Sequence, residues 1–361
     1  MSDGSTILFV AQTGQLSGAE KVLLNLVDEA LAGGFRAIVA CPAGPLAEAL
    51  PDGATHLLIP ALGMGGEQSL ARLVGTVRLL LRWRSAAKIM APVARAADTA
   101  TIVNSLYALP AVRLSKPPRG AAWLVHDTLI STKQRMATRI GKPAVRIAVA
   151  VSEATARPLE AMGIPVRVCH NGVRWPVAQI DAAQHTPPVV GMLSLLTPWK
   201  GHRVLLDAVA TLQDVDVELA GGSFPGDADY VEELRERAAR PDLAGRVRFL
   251  GHVDPESALR RWDVVVSASV SPEAGPLSVL EAMSYGLPVV GTDHGGTTEF
   301  LRGGAGLLVP PDDATAMAAA IAELLGDDQA RRDVIAEARR RIADQHDLTR
   351  TLPAMLRALL G

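Results

Sequence analysis

Cysteine is almost missing from this chain. Its 361 residues include two, Cys41 and Cys169, far apart in sequence. That argues against a disulfide framework or a zinc site and fits a reduced cytosolic compartment. Long apolar runs are missing too: no stretch reaches the roughly 18 uncharged apolar residues that a membrane-spanning helix requires. The opening Met-Ser-Asp-Gly-Ser-Thr has no basic n-region and no cleavage signature, so no signal peptide is expected. A strong net charge is absent as well, and the formal balance of −2 argues against nucleic acid as a partner of the whole molecule. No Asp-x-Asp reads as a metal site: Asp214 and Asp216 flank a strand start, and Asp227 and Asp229 suit a loop or helix cap.

What is present is apolar. Hydrophobic residues make up 48% and charged residues 20%, with mean hydropathy +0.20, which excludes a disordered chain. The length predicts two domains of roughly 150–200 residues each. Short β-branched runs at Ile7–Ala11, Ala37–Cys41, His56–Ile59, Thr101–Val103, Ala121–Val125 and Ile147–Val151 alternate with helical patterns such as Ala19–Ala32 and Leu70–Ala97. A second series follows at Val189–Leu193, Val215–Ala220, Val247–Leu250, Val264–Ser269, Pro288–Thr292 and Gly306–Val309. Helices are expected at Ala314–Leu325, Gln329–Asp344 and Leu348–Leu360. This alternation predicts an α/β fold of two Rossmann-like, doubly wound parallel-sheet domains facing a central cleft. The expected division is 1–175, a linker at 176–188, and 189–361, with the last helix, 348–360, able to return to the first domain. Ligands of such sheets sit at the carboxyl ends of the strands.

The near-neutral average hides a division. Residues 1–175 carry 19 Lys/Arg and 11 Asp/Glu, a net of +8, and the remainder carries 17 and 27, a net of −10. Within the first part, residues 68–97 hold Arg72, Arg78, Arg82, Arg84, Lys88 and Arg95 and no acid. Leu70, Leu73, Val74, Val77, Leu80 and Leu81 recur there near helical spacing. Two readings stand: a packed helix with a solvated basic face, or a helix lying on an anionic membrane surface.

The most specific segment runs from Ser271 to Gly291. It sets two carboxylates, Glu273 and Glu281, across a loop-to-helix transition whose turn is Gly275-Pro276 and whose helix begins at Leu277. Glu273 can accept hydrogen bonds from a polyol. The free N–H groups near Leu277 and Ser278 suit a phosphate. Lys200 precedes a helix opening at Gly201. Gln12–Lys21 is glycine-bearing but has the spacing of neither a dinucleotide fingerprint nor a P-loop; Gly14 and Gly18 allow close backbone approach, and Ser17–Glu20 also reads as a helix cap. His126 ends the strand Ala121–Val125.

These motifs resemble the retaining nucleotide-sugar glycosyltransferases of family 4, which have the GT-B fold. The likeness covers nearly the whole chain and is strongest from about Val189 to Asp313. It implies that Glu273 holds hydroxyls of the donor sugar and Glu281 the nucleotide ribose. Gly275, Pro276, Leu277 and Ser278 then stand at the turn contacting sugar and diphosphate, where the family often has Phe-Gly instead of Gly275-Pro276. Lys200, in Leu196-Thr-Pro-Trp-Lys-Gly201, would neutralise the diphosphate, and Gly251, His252 and Val253 would frame the nucleobase. Gly18 approaches the donor, His126 contacts the donor sugar, and Gly14 and Asn104 fall on the acceptor side. Gly295-Gly296 and Glu299 match a following Gly-Gly-x-x-Glu and are read as scaffold. The Arg that usually joins the lysine is Leu195 here, with Arg203 as a candidate substitute.

The expected activity is therefore metal-independent, retaining transfer of a sugar from a UDP- or GDP-sugar to an acceptor hydroxyl, with no cofactor. Glu273, His126 and Lys200 form the expected catalytic set. The alternatives are a GT-B epimerase or hydrolase of nucleotide sugars, or a nucleotide-sugar-binding protein with weakened catalysis. The partners expected are the donor, an unnamed acceptor and no nucleic acid. The location expected is cytoplasmic, with residues 68–97 contacting the inner face of the plasma membrane under the second reading of that helix.

Overall fold

The computed structural model describes residues 4–63, 71–179 and 185–361. Among the described residues the apolar runs become thirteen strands in two all-parallel sheets. The first contains β1 (Thr6–Val10), β2 (Arg36–Cys41), β3 (Thr55–Leu58), β4 (Thr99–Val103), β5 (Ala121–Val125), β6 (Val145–Ala150) and β7 (Val166–Val168), in the order β3-β2-β1-β4-β5-β6-β7. The second contains β8 (Val189–Leu193), β9 (Asp216–Ala220), β10 (Val247–Gly251), β11 (Val264–Ser267), β12 (Val289–Thr292) and β13 (Leu307–Val309), in the order β10-β9-β8-β11-β12-β13. Every residue of β1 and β5 is buried. Parallel strands covered on both faces need continuous apolar sequence, which is why these runs do not alternate.

The chain divides into two compact units. One runs to Asn171 and takes in Thr351–Gly361; the other is Gly172–Arg350. In the first, Trp123 and Met90 lie in a core built on Leu8, Val10 and Val103. In the second, one core cluster gathers around Val190, Val217 and Val266, and another around Trp262, Phe300 and Leu280. Arg146 of the first unit donates to the carbonyls of Leu359 (2.7 Å) and Leu360 (3.3 Å). Asp254 caps one helix by accepting from the Ser257 N–H (2.9 Å) and Asp313 another by accepting from that of Ala316 (2.9 Å), while Asp227 stands at a helix start without a side-chain cap bond.

Several elements differ from expectation. β7 was not anticipated: its three residues follow Pro165 and form a half-exposed edge, too short for a periodic signal. The strand expected at Val264–Ser269 stops at Ser267, so Ala268 and Ser269 belong to the loop. The helix expected at Gln329–Asp344 is Asp328–Arg341, followed by a wider π-helical turn, Ile342–His346. That turn sets the His346 ring edge-on to Phe300, with centroids 4.9 Å apart, and offers its carbonyl to the Val173 N–H (2.8 Å).

The basic helix is described over Ala71–Ala94, and residues 68–70 lie outside the described residues, as do 180–184 of the expected linker. Its buried face is Leu79, Trp83, Ala86, Met90 and Ala94, while Val77, Leu80 and Leu81 are exposed. Of the apolar stripe read from the sequence, the described members Val77, Leu80 and Leu81 thus do not face the core, and the side chains of Leu70, Leu73 and Val74 lie outside the described residues. Among the described residues no helix is long and apolar enough to cross a membrane.

Candidate active site

In each sheet the strand order reverses once, between β1 and β4 in the first and between β8 and β11 in the second. Loops leaving the carboxyl ends of such neighbours diverge and leave a crevice for ligands. Gly14 follows β1, Asn104 β4, Lys200 β8 and Glu273 β11, whereas His126 follows β5, Gly251–Val253 lie at the end of β10 and Gly295-Gly296 follow β12.

In the second unit, β8 leads into Ser194–Gly201 and β11 into Ala268–Pro276. Lys200 Nζ donates to Glu273 Oε2 at 2.6 Å, closing an ion pair between the two loops with both side chains largely buried. Its ammonium also lies 4.2 Å from the ring centroid of the half-exposed Trp199. Gly201 makes this turn possible. It has φ +77°, and a Cβ there would stand 2.0 Å from the Ala268 carbonyl oxygen. The Val270 N–H donates to the Trp199 carbonyl (2.9 Å), tying the same two loops together.

The other oxygen of Glu273 accepts from the hydroxyl of buried Ser269. The Ser269 carbonyl is in turn held by Thr292 Oγ1 (2.9 Å), donating from the end of β12, and His294 Nε2 (2.7 Å), donating from the segment after it. A carbonyl only accepts, so Nε2 of His294 carries the proton. The Glu273 carbonyl accepts from the Gly296 N–H at 2.8 Å. A Cβ on Gly295 (φ +62°) would lie 2.4 Å from the Glu273 carbonyl oxygen, and one on Gly296 2.3 Å from that of Ala274. Gly295-Gly296 therefore seats the loop that carries Glu273. Ser269, Thr292 and His294 were not singled out in the sequence.

The remaining positions of this unit are placed as follows. Pro276 caps the helix Leu277–Tyr285, which carries Leu277 and Ser278 in its first turn and the half-buried Glu281 mid-helix; Gly275 precedes it. Gly251 ends β10 at φ +67°, its carbonyl accepting from the Gly221 N–H (2.7 Å), with His252 exposed and Val253 packed on the core. Arg203 is not joined to Lys200: its guanidinium is shared between Asp207 (3.0 Å) and Glu233 (2.7 Å). His202 is fully buried and bonds Ser194 Oγ through Nε2 (3.0 Å). Burial, and secondarily the Lys200 charge, push its pKa down to about 3, so the ring is neutral.

In the first unit, His126 Nε2 donates to Asn104 Oδ1 at 3.2 Å, and Asn104 Nδ2 donates to the Ala19 carbonyl at 3.2 Å. This fixes the tautomer and leaves Nδ1 with a lone pair. Burial lowers the His126 pKa to about 4. Beside it, Asp127 is raised to about 6 by burial, opposed by the Leu106 backbone and reinforced by the charge of Glu20. Asp127 was not read as a site residue; its signal was a carboxylate directly after a strand end. Gly18 opens the helix Gly18–Ala32 and is exposed, and the Ser17 N–H donates to Glu20 Oε2 (3.2 Å), as a helix cap does. Gly14 is buried against the next loop, where a Cβ would meet the Ala43 carbonyl oxygen at 2.3 Å.

Residues 174–341 match the family described as Glycosyl transferases group 1. The phosphatidyl-myo-inositol mannosyltransferase of Mycolicibacterium smegmatis is 42% identical over 153 residues, 40% of this chain and 38% of that protein. A lipopolysaccharide core biosynthesis mannosyltransferase of Rhizobium meliloti is 29% identical over 222 residues, 55% of this chain and 61% of that protein. The chain thus spans between about two fifths and three fifths of the length of these relatives. Among solved structures, Anabaena HepE in complex with UDP and glucose superposes with TM-score 0.82 at 23% identity, covering 99% of this chain and 100% of that one. The lipopolysaccharide outer core galactosyltransferase WaaB, in its apo form, gives 0.72 at 16%, covering 98% and 99%. The fold is GT-B, and residues 174–341, within the second unit, match the group 1 glycosyl transferase model.

Proposed function

We propose that the protein is a glycosyltransferase that moves a sugar from a nucleoside diphosphate to an acceptor hydroxyl with retention of configuration. The observation that carries this reading is the Lys200–Glu273 pair at the strand-order reversal of a group 1 domain. A bound donor would exchange that pair for its own charges: Lys200 turns to the diphosphate, and Glu273 accepts from the sugar hydroxyls. The glycosidic carbon–oxygen bond to phosphate breaks as the acceptor oxygen bonds to the same face of the sugar. The acceptor proton passes to the departing phosphate. Lys200 and the N–H groups around Leu277 and Ser278 stabilise the charge developing there, so no divalent cation is required. Neutral His126, with Nδ1 as an acceptor, takes a donor-sugar hydroxyl.

The donor in this reading is a UDP- or GDP-sugar; the HepE structures with UDP, glucose and UDP-glucose, and the mannosyltransferase relatives, support that choice. The acceptor lies at an anionic membrane surface, reached through the exposed face of the helix Ala71–Ala94. A second reading, a donor-binding protein with slow transfer, is favoured by one observation: Arg203 is committed to Asp207 and Glu233, leaving Leu195 unreplaced. Calorimetry with a panel of UDP- and GDP-sugars tests donor binding. At least one is expected to bind saturably, about tenfold or more weakly in Lys200→Met, since a charge-assisted contact is lost. Absence of binding across the panel would refute both readings.

A further inference from the structure

The second unit holds another cationic site. On the helix Asp328–Arg341, Arg331, Arg332, Ile335 and Arg339 share one face by the 3.6-residue period. With Asp328 and Gln179 they line a cavity of about 730 Å³, a size that suits a small molecule. Among the described residues that line it, three guanidinium groups stand against one carboxylate.

Arg331 is the member that needs explaining. It is 5% exposed, yet among the described residues its Nε and Nη2 have no hydrogen-bond partner. The other two are engaged: Arg339 donates to the Ser284 carbonyl (2.6 Å) and lies 4.6 Å over the Trp175 ring, and Arg332 donates to Gln329 Oε1 (3.0 Å). A buried guanidinium without hydrogen bonds is strongly disfavoured, and an anion supplied from outside the chain relieves it. Ser284 lies near the far end of the helix Leu277–Tyr285 from the Glu273 loop, about 10 Å along its axis from Leu277. The cavity is therefore separate from the Lys200–Glu273 site.

We propose that this cavity binds a phosphomonoester of metabolite size. A phosphomonoester carries close to two negative charges, matching the excess of cations, and its oxygens suit the planar forks of Arg331 and Arg332. Gln179 and Asp328 meet the polar body of the ligand above Ile335.

The test uses the full chain with Lys200→Met, so that phosphate binding at the first site does not contribute and the result is independent of the transferase reading. Calorimetry at constant ionic strength compares glucose 6-phosphate, inorganic phosphate and glucose. Glucose 6-phosphate is expected to bind saturably, phosphate more weakly and glucose not at all. Arg331→Met should weaken the sugar phosphate about tenfold or more, with no loss of melting temperature in phosphate-free buffer. Exposed Arg332→Ala should weaken it too, and carries the comparison if Arg331→Met does not fold. Absence of saturable binding, or affinity unchanged in the folded variants, would overturn the site.

Discussion

Glu273 is positioned by one near neighbour in sequence and by groups far from it. Its two oxygens are taken by Lys200 and Ser269, and Ser269 is itself held through its carbonyl by Thr292 and His294. His294 thus acts on Glu273 through Ser269, as a positioning residue. Replacing it by Ala removes one donor and lets the loop relax. We expect His294→Ala to lower turnover of a nucleotide sugar about tenfold, on the order of the free energy of one hydrogen bond. His294→Gln, whose side-chain amide can donate to the same carbonyl, should recover most of it. Steady-state kinetics of both variants check this; equal loss in both, or no loss in either, would contradict the positioning role.

At the scale of elements, the parallel sheets and their helices were legible because buried parallel strands write themselves as short apolar runs between capped helices. Glu273 and Lys200 were legible because each belongs to a compact motif. Ser269 and His294 were not. Ser269 sat in an apolar run that reads as strand to its end, and His294 contributes through a contact to another loop's carbonyl, which leaves no local pattern. The basic helix shows the same limit from the other side. Periodicity identified a helix, but tertiary packing chose Leu79, Trp83, Ala86 and Met90 for the core. Val77, Leu81, Arg84 and Lys88 recur at helical spacing on the outside, a mixed apolar and cationic stripe. Such a stripe favours an anionic bilayer. Liposome sedimentation should rise with anionic lipid and fall with salt, and Leu81→Ser with Lys88→Ser should reduce it. Flat, negligible sedimentation at every composition would dispose of the membrane-surface acceptor.

For the whole molecule, the net charge of −2 is the remainder of a +8 part and a −10 part. Under the proposed function the acidic part would have to hold a diphosphate, so attraction would come from local groups rather than from the field of the domain. Lys200, fixed by Gly201 and beside the Trp199 ring, would be that group, and Glu273 pairs with it in this structure. The most direct test of this account is transfer of a labelled sugar from its nucleotide donor by wild type and by Glu273→Ala, with product followed by mass spectrometry. The account predicts that the variant keeps its melting transition while transfer falls about a hundredfold or more, the scale seen when a group that stabilises the transition state is removed. Undiminished transfer by Glu273→Ala would contradict it.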